Sequence, residues 1–111
     1  MALDTNALEK TILTAIENAI GAQSKTVIAL AISQAAALAK TGLFIEENKD
    51  NVNAETLDFM MKNHADAIDG VLKGFEGISQ TIAQQAADAA INAFVSVINA
   101  AKIVPFALPG V

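Results

Sequence analysis

The chain has no cysteine, no tryptophan and no tyrosine, one histidine and two prolines. Its seven basic residues are all lysine. Without cysteine there is no disulfide, no thiolate nucleophile and no sulfur-ligated metal. One histidine, His64, cannot build a multi-histidine metal centre. A net charge of −5 with no arginine leaves no basic face to neutralise phosphates, which argues against a nucleic-acid partner. Tryptophan and tyrosine commonly anchor ligand pockets and heterotypic contacts, and neither is present. No phosphate loop, dinucleotide fingerprint or G-x-S-x-G elbow occurs in the chain. Carboxylates cluster only as Glu46/Glu47 and Asp66/Asp69, in polar surroundings with nothing to pull their pKa values apart. The expectation is a protein that is not an enzyme and takes no cofactor.

Apolar residues are what the chain has in excess. They make up 53% of 111 residues, with only 17% charged; ordinary soluble domains are roughly a quarter charged. The length suits one domain, and a single helical domain over 1–111 is expected. So apolar a small chain invites burial against copies of itself, against other subunits, or against a membrane. The start, Met1-Ala2-Leu3-Asp4, lacks the basic opening and apolar run of a secretory signal. Cytoplasmic synthesis is the expectation, with release in a particle or export by a dedicated machine left open.

The most ordered pattern lies over 54–82. Ala54, Met61, Ile68, Phe75 and Ile82 recur every seven residues, with Leu57, His64, Val71 and Ile78 in the interleaved column. This 4-3 spacing predicts a long helix packed lengthwise on another. Its opposite face carries Asp58, Lys62, Asp66, Asp69, Lys73 and Glu76, with acid-before-base pairs at 58/62 and 69/73. Gly70 and Gly74 either clear a strip for a neighbouring backbone or, with Gly77, mark a turn near 74–79. His64, on the apolar seam, reads as a packed or register-setting polar residue.

Around this stretch the pattern predicts helices at 7–20, 25–40 and 83–104. Asn6 is expected to cap the first and Gly21 to end it; Ser24 and Asn53 are expected to cap the second and third. The second is apolar nearly all round, which predicts burial on most sides. Thr41-Gly42 reads as its end, followed by a short apolar patch, Leu43-Phe44-Ile45, and a polar loop over 46–53 without the spacing of a calcium loop. In the fourth helix, Ile91, Phe94, Val95 and Ile98 leave the earlier columns, implying two neighbours or a break before it. A stripe of Gln85, Asp88, Asn92, Ser96 and Asn99 faces water, a channel or a copy of itself. Pro105 and Pro109 make 105–111 an extended apolar tail, with Phe106 as a docking residue.

The run Gln34-Ala35-Ala36-Ala37-Leu38-Ala39-Lys40-Thr41-Gly42-Leu43, followed by Glu46-Glu47-Asn48, resembles the Gln-Ala-rich helix, Gly-Leu step and following Asn of the R-body subunit family. The resemblance departs from that family at Val27-Ile28-Ala29 and Ser33-Gln34, where an Ala-Pro-Ala stretch and a Tyr-Gln step would stand, and it lacks the later Gln-Gln run. What it implies is a small bacterial subunit that polymerises into coiled ribbons.

The reading is therefore an all-α fold of three or four helices, an extended hairpin or bundle with an apolar C-terminal tail. Its function is expected to be structural: self-assembly through apolar helix faces into a ribbon, filament or phage component. The alternative is a membrane-active, holin-like or pore-forming hairpin. The expected interface residues are Leu57, Met61, Ile68, Val71, Phe75, Ile78, Ile82, Ile91, Phe94, Val95, Ile98 and Phe106.

Overall fold

A computed structural model describes residues 3–21 and 23–110. Met1, Ala2 and the tail's last residue, Val111, lie outside the described residues. Four helices follow one another: α1 Thr5–Ile20, α2 Lys25–Glu47, α3 Ala54–Leu72 and α4 Gln80–Ala101. No strand occurs among the described residues.

Each helix starts where a short polar side chain can satisfy free backbone donors. Asp4 opens α1, its Oδ1 accepting from the Ala7 N–H at 3.1 Å. The cap lies two residues before the expected Asn6, and a carboxylate there also favours the positive end of the helix dipole. Ser24, Asn53 and Ser79 cap α2, α3 and α4 through the N–H groups of Val27, Thr56 and Ile82. Gly21 ends α1 with φ 72°, donating its N–H to Glu17.

Two expected boundaries move by seven residues or more, while the fourth helix, expected over 83–104, shifts by three at each end to Gln80–Ala101. The second helix does not stop at Thr41-Gly42 but runs on through Leu43-Phe44-Ile45 to Glu47, where the Asn48 side chain donates to the Phe44 carbonyl at 2.9 Å. Packing decides this. Gly42 is buried between α1 and α4, and a Cβ there would come within 2.8 Å of Leu8 Cδ2 and 3.2 Å of Phe94 Cε1. The close approach offsets the glycine's cost inside a helix.

The long helix expected over 54–82 is two helices. α3 ends at Leu72; residues 73–79 turn the chain, with Gly77 at φ 90°, and Ser79 starts α4. Three glycines in eight residues lower helix propensity just where a good cap becomes available. No backbone fills a strip at Gly70, where an added Cβ would meet nothing within 4 Å.

α4 is the hub, packing extensively on α1 and α3 and more lightly on α2. α2 rests mainly on α1, with smaller contacts to α3 and α4. The radius of gyration, 13.6 Å, is near the roughly 13 Å of a compact domain of this length. The accessible surface, 6156 Å², is close to the ~5,800 Å² of a folded monomer of this mass. The fold is thus a closed bundle rather than an extended hairpin.

The tail completes the bundle. Lys102 takes the left-handed conformation at φ 52°, and the Ile103 N–H returns to the Ile98 carbonyl, a Schellman ending. The chain then doubles back along α4. Asn99 holds it at two points: its Nδ2 donates to the Leu108 carbonyl and its Oδ1 accepts the Leu108 N–H, both at 2.9 Å. Ile103, Val104 and Leu108 are buried on the chain's own core.

Candidate interaction surface

The residues expected at an interface lie mostly inside the subunit. Leu57, Met61, Ile68, Ile78, Ile91, Phe94, Val95 and Ile98 are buried in the core of the single chain. Phe75, Ile82 and Phe106 are partly buried and pack against that core, and Val71 is also only partly exposed. The physical reason is the 73–79 turn. It folds α4 back on α3, so the heptad seam meets the chain's own fourth helix. Ile68, Val71, Phe75, Ile78 and Ile82 therefore do not form a free lengthwise face for another copy.

Among the described residues, the large apolar side chains left exposed are on α2 and at one point of α3. Ile32, Leu43 and Phe44 are 42%, 37% and 47% exposed, and Phe59 is 65% exposed. On α2 one outward stripe is Lys25, Ala29, Ile32, Ala36, Lys40, Leu43 and Glu47, all exposed except the half-buried Ala36, and Thr26, Ser33, Ala37 and Phe44 are exposed beside it. The expectation that this helix is buried on most sides is therefore corrected. Only Val27, Ala31, Ala35, Leu38, Ala39, Gly42 and Ile45 are buried, and they form one inward face. Phe59 carried a visible signal: it falls outside both heptad columns, between Asp58 and Lys62 on the charged side. On α2 apolar residues lie on all sides, so periodicity did not mark which side faces out.

Polar groups tie the helices to one another and to the tail. His64 bridges α3 to α2, its Nε2 lying 2.7 Å from Thr41 Oγ1. Burial at this junction lowers the His64 pKa below its usual value, favouring the neutral ring. The pairs Lys62–Asp58 at 3.0 Å and Lys73–Asp69 at 3.6 Å form along α3 as their spacing indicated. Asp69 is half-buried rather than fully solvated, and its Oδ1 has no hydrogen-bond partner. Of the polar stripe on α4, Asn99 clamps the tail, and Asn92 lies beside it, its Oδ1 only 2.7 Å from where a Cβ on Gly110 would stand. Gln85 and Ser96 face solvent.

Two open hollows of about 310 and 340 Å³ lie beside the tail and between α1 and α4. Their linings are mainly apolar, with Lys102 in one and Asp4 in the other as charged members. Among the described residues, no group of three or more histidines or carboxylates is placed to hold a metal ion. No family model, curated protein or solved structure matches the chain.

Proposed function

We propose that this chain is a non-enzymatic structural subunit that assembles with copies of itself into a larger particle, such as a ribbon, a filament or a component of a phage particle. The observation that carries this is the outer face of α2. Ile32, Leu43 and Phe44 stay exposed although the bundle has closed and the tail has docked. Apolar side chains aligned on one helix face mark a contact surface more than scattered ones do. The segments that resemble R-body subunits, 34–43 and 46–48, lie on this helix and its C-cap, which supports the same reading. Assembly is driven by removing that face from water, at about 25 cal/mol per Å². The test is the mass of detergent-free protein by light scattering, with negative-stain electron microscopy. Oligomers or ordered particles are expected. A monodisperse 11.5 kDa species at high concentration overturns the reading.

One observation favours a second reading. α2 has 23 residues, and its most apolar 18-residue window has mean hydropathy 1.6 with only 33% of it buried. At 1.5 Å per residue it reaches about 34 Å, enough for the ~30 Å hydrocarbon core. Insertion would have to accommodate Lys40. Flotation with phosphatidylcholine–phosphatidylglycerol vesicles separates the two: the structural subunit stays at the bottom of the gradient as particles, whereas a membrane-active helix rises with lipid.

A further inference from the structure

We infer that α2 pairs antiparallel with α2 of a second copy, about a two-fold axis at Ala36. The inference rests on the self-assembly reading and names its contact. The outward stripe of α2 has the spacing 4-3-4-4-3-4 from Lys25 to Glu47 and reads the same from either end. A two-fold axis at its centre, Ala36, lays it on itself. Lys25 then faces Glu47, Ala29 faces Leu43, and Ile32 faces the aliphatic stem of Lys40. Charge meets opposite charge, small meets large, and the Lys40 ammonium reaches the rim over Ile32. A half-buried alanine at the axis lets the two backbones approach closely. The same stripe paired in parallel would set Lys25 on Lys25, Lys40 on Lys40 and Leu43 on Leu43.

A second observation points the same way. α2 has no acidic residue in its first turn and no basic residue in its last; it starts at Lys25 and ends at Glu46 and Glu47. Within one subunit these charges sit at the unfavourable ends of the helix dipole. Antiparallel pairing brings Lys25 to the partner's C-terminal end and Glu47 to the partner's N-terminal end, which sets a favourable interaction against each unfavourable one. The repeat of eleven residues, about 3.67 per turn, is close to the helix's own 3.6, so the stripe stays nearly straight over about 33 Å. Self-complementary contact of this kind is isologous and closes as a dimer. The dimer is then the repeating unit of any larger particle.

The cysteine-free chain makes the test direct. Under oxidising conditions Ala36→Cys is expected to give a disulfide-linked dimer of twice 11.5 kDa. Ala29→Cys alone is expected not to, because its copies stand about 21 Å apart along the pair, 14 residues at 1.5 Å. A mixture of Ala29→Cys and Leu43→Cys subunits is expected to cross-link. Leu43→Lys, with its helical circular dichroism intact, is expected to weaken dimerisation at least tenfold. Cross-linking of Ala29→Cys with itself overturns the antiparallel register. Particles that persist in Leu43→Lys, without cross-linking at position 36, overturn this contact while leaving self-assembly standing. A monomer in every variant and in the unmodified chain overturns both.

Discussion

α2 and α4 are near twins in composition. They have 23 and 22 residues, are rich in alanine and bulky aliphatics, and carry few charges. Their positions differ. α4 has α1 on one side and α3 on another, with α2 and the returning tail closing further parts of its surface. Ala83, Ala86, Ala87, Ala90, Ile91, Phe94, Val95 and Ile98 all disappear into that environment. α2 leans on α1 and leaves its outer side open, with Ile32, Leu43 and Phe44 in solvent. Hydrophobicity in a helix thus does not say whether it is used inside the subunit or outside it. The neighbours decide.

The comparison breaks most sharply by truncation. Phe94→Ala on α4 is expected to cost about 3–5 kcal/mol of folding stability, the scale for a large fully buried aromatic. Ile32→Ala on α2 is expected to change monomer stability by less than about 0.5 kcal/mol, as for a surface position. Urea unfolding of both variants checks the contrast; equal losses would mean α2 is as enclosed as α4. Gly42→Val comes next. It forces a branched side chain into the point where Leu8 and Phe94 meet α2 and is expected to cost about 1–3 kcal/mol, read as a lower denaturant midpoint.

On α4 the tail clamp gives the third measurement. Asn99→Ala leaves the Leu108 N–H and carbonyl without their partner, at about 1–3 kcal/mol for the part-buried pair. Faster amide exchange at Leu108 is expected, with the α2–α3 hairpin unchanged. Lys102→Gly is smaller and of opposite sign. It relieves a non-glycine residue in the left-handed region and is expected to raise stability by up to about 1 kcal/mol.

The smallest effect concerns how α2 is fastened. His64 has its pKa lowered in the fold, so the unfolded chain binds the proton more readily. Its neutral state contributes stability that is fully present above the unfolded value, near 6.5, and is lost as pH falls from there through the folded value. His64→Gln is expected to flatten that part of the stability–pH curve. An unchanged curve would mean that the Thr41–His64 bridge does not sense pH.

Much of the local structure was legible in the residues. Gly21, Ser24 and Asn53 act where their chemistry put them, and the 58/62 and 69/73 ion pairs form. The turn near 74–79 was one of two readings, because glycine serves both close packing and chain reversal. Long-range contacts carried the rest. Gly42 reads as a stop until Leu8 and Phe94 are seen against it. The 54–82 seam reads as an interface until the chain turns back upon it. Asn99 reads as part of a polar stripe until Leu108 arrives, nine residues later, to take both of its hydrogen bonds.

The sequence by itself determined that the chain is helical, that its helices start at Ser24 and Asn53, and that it has no cysteine chemistry. These follow from propensity, capping and composition, which act over a few residues. Only the tertiary structure decided which apolar surface is internal. That depends on which helices become neighbours, and α4 occupies the place that would have buried the α3 seam against another copy. The open face passed to α2, because α1, α3 and α4 all meet that helix on its inward side.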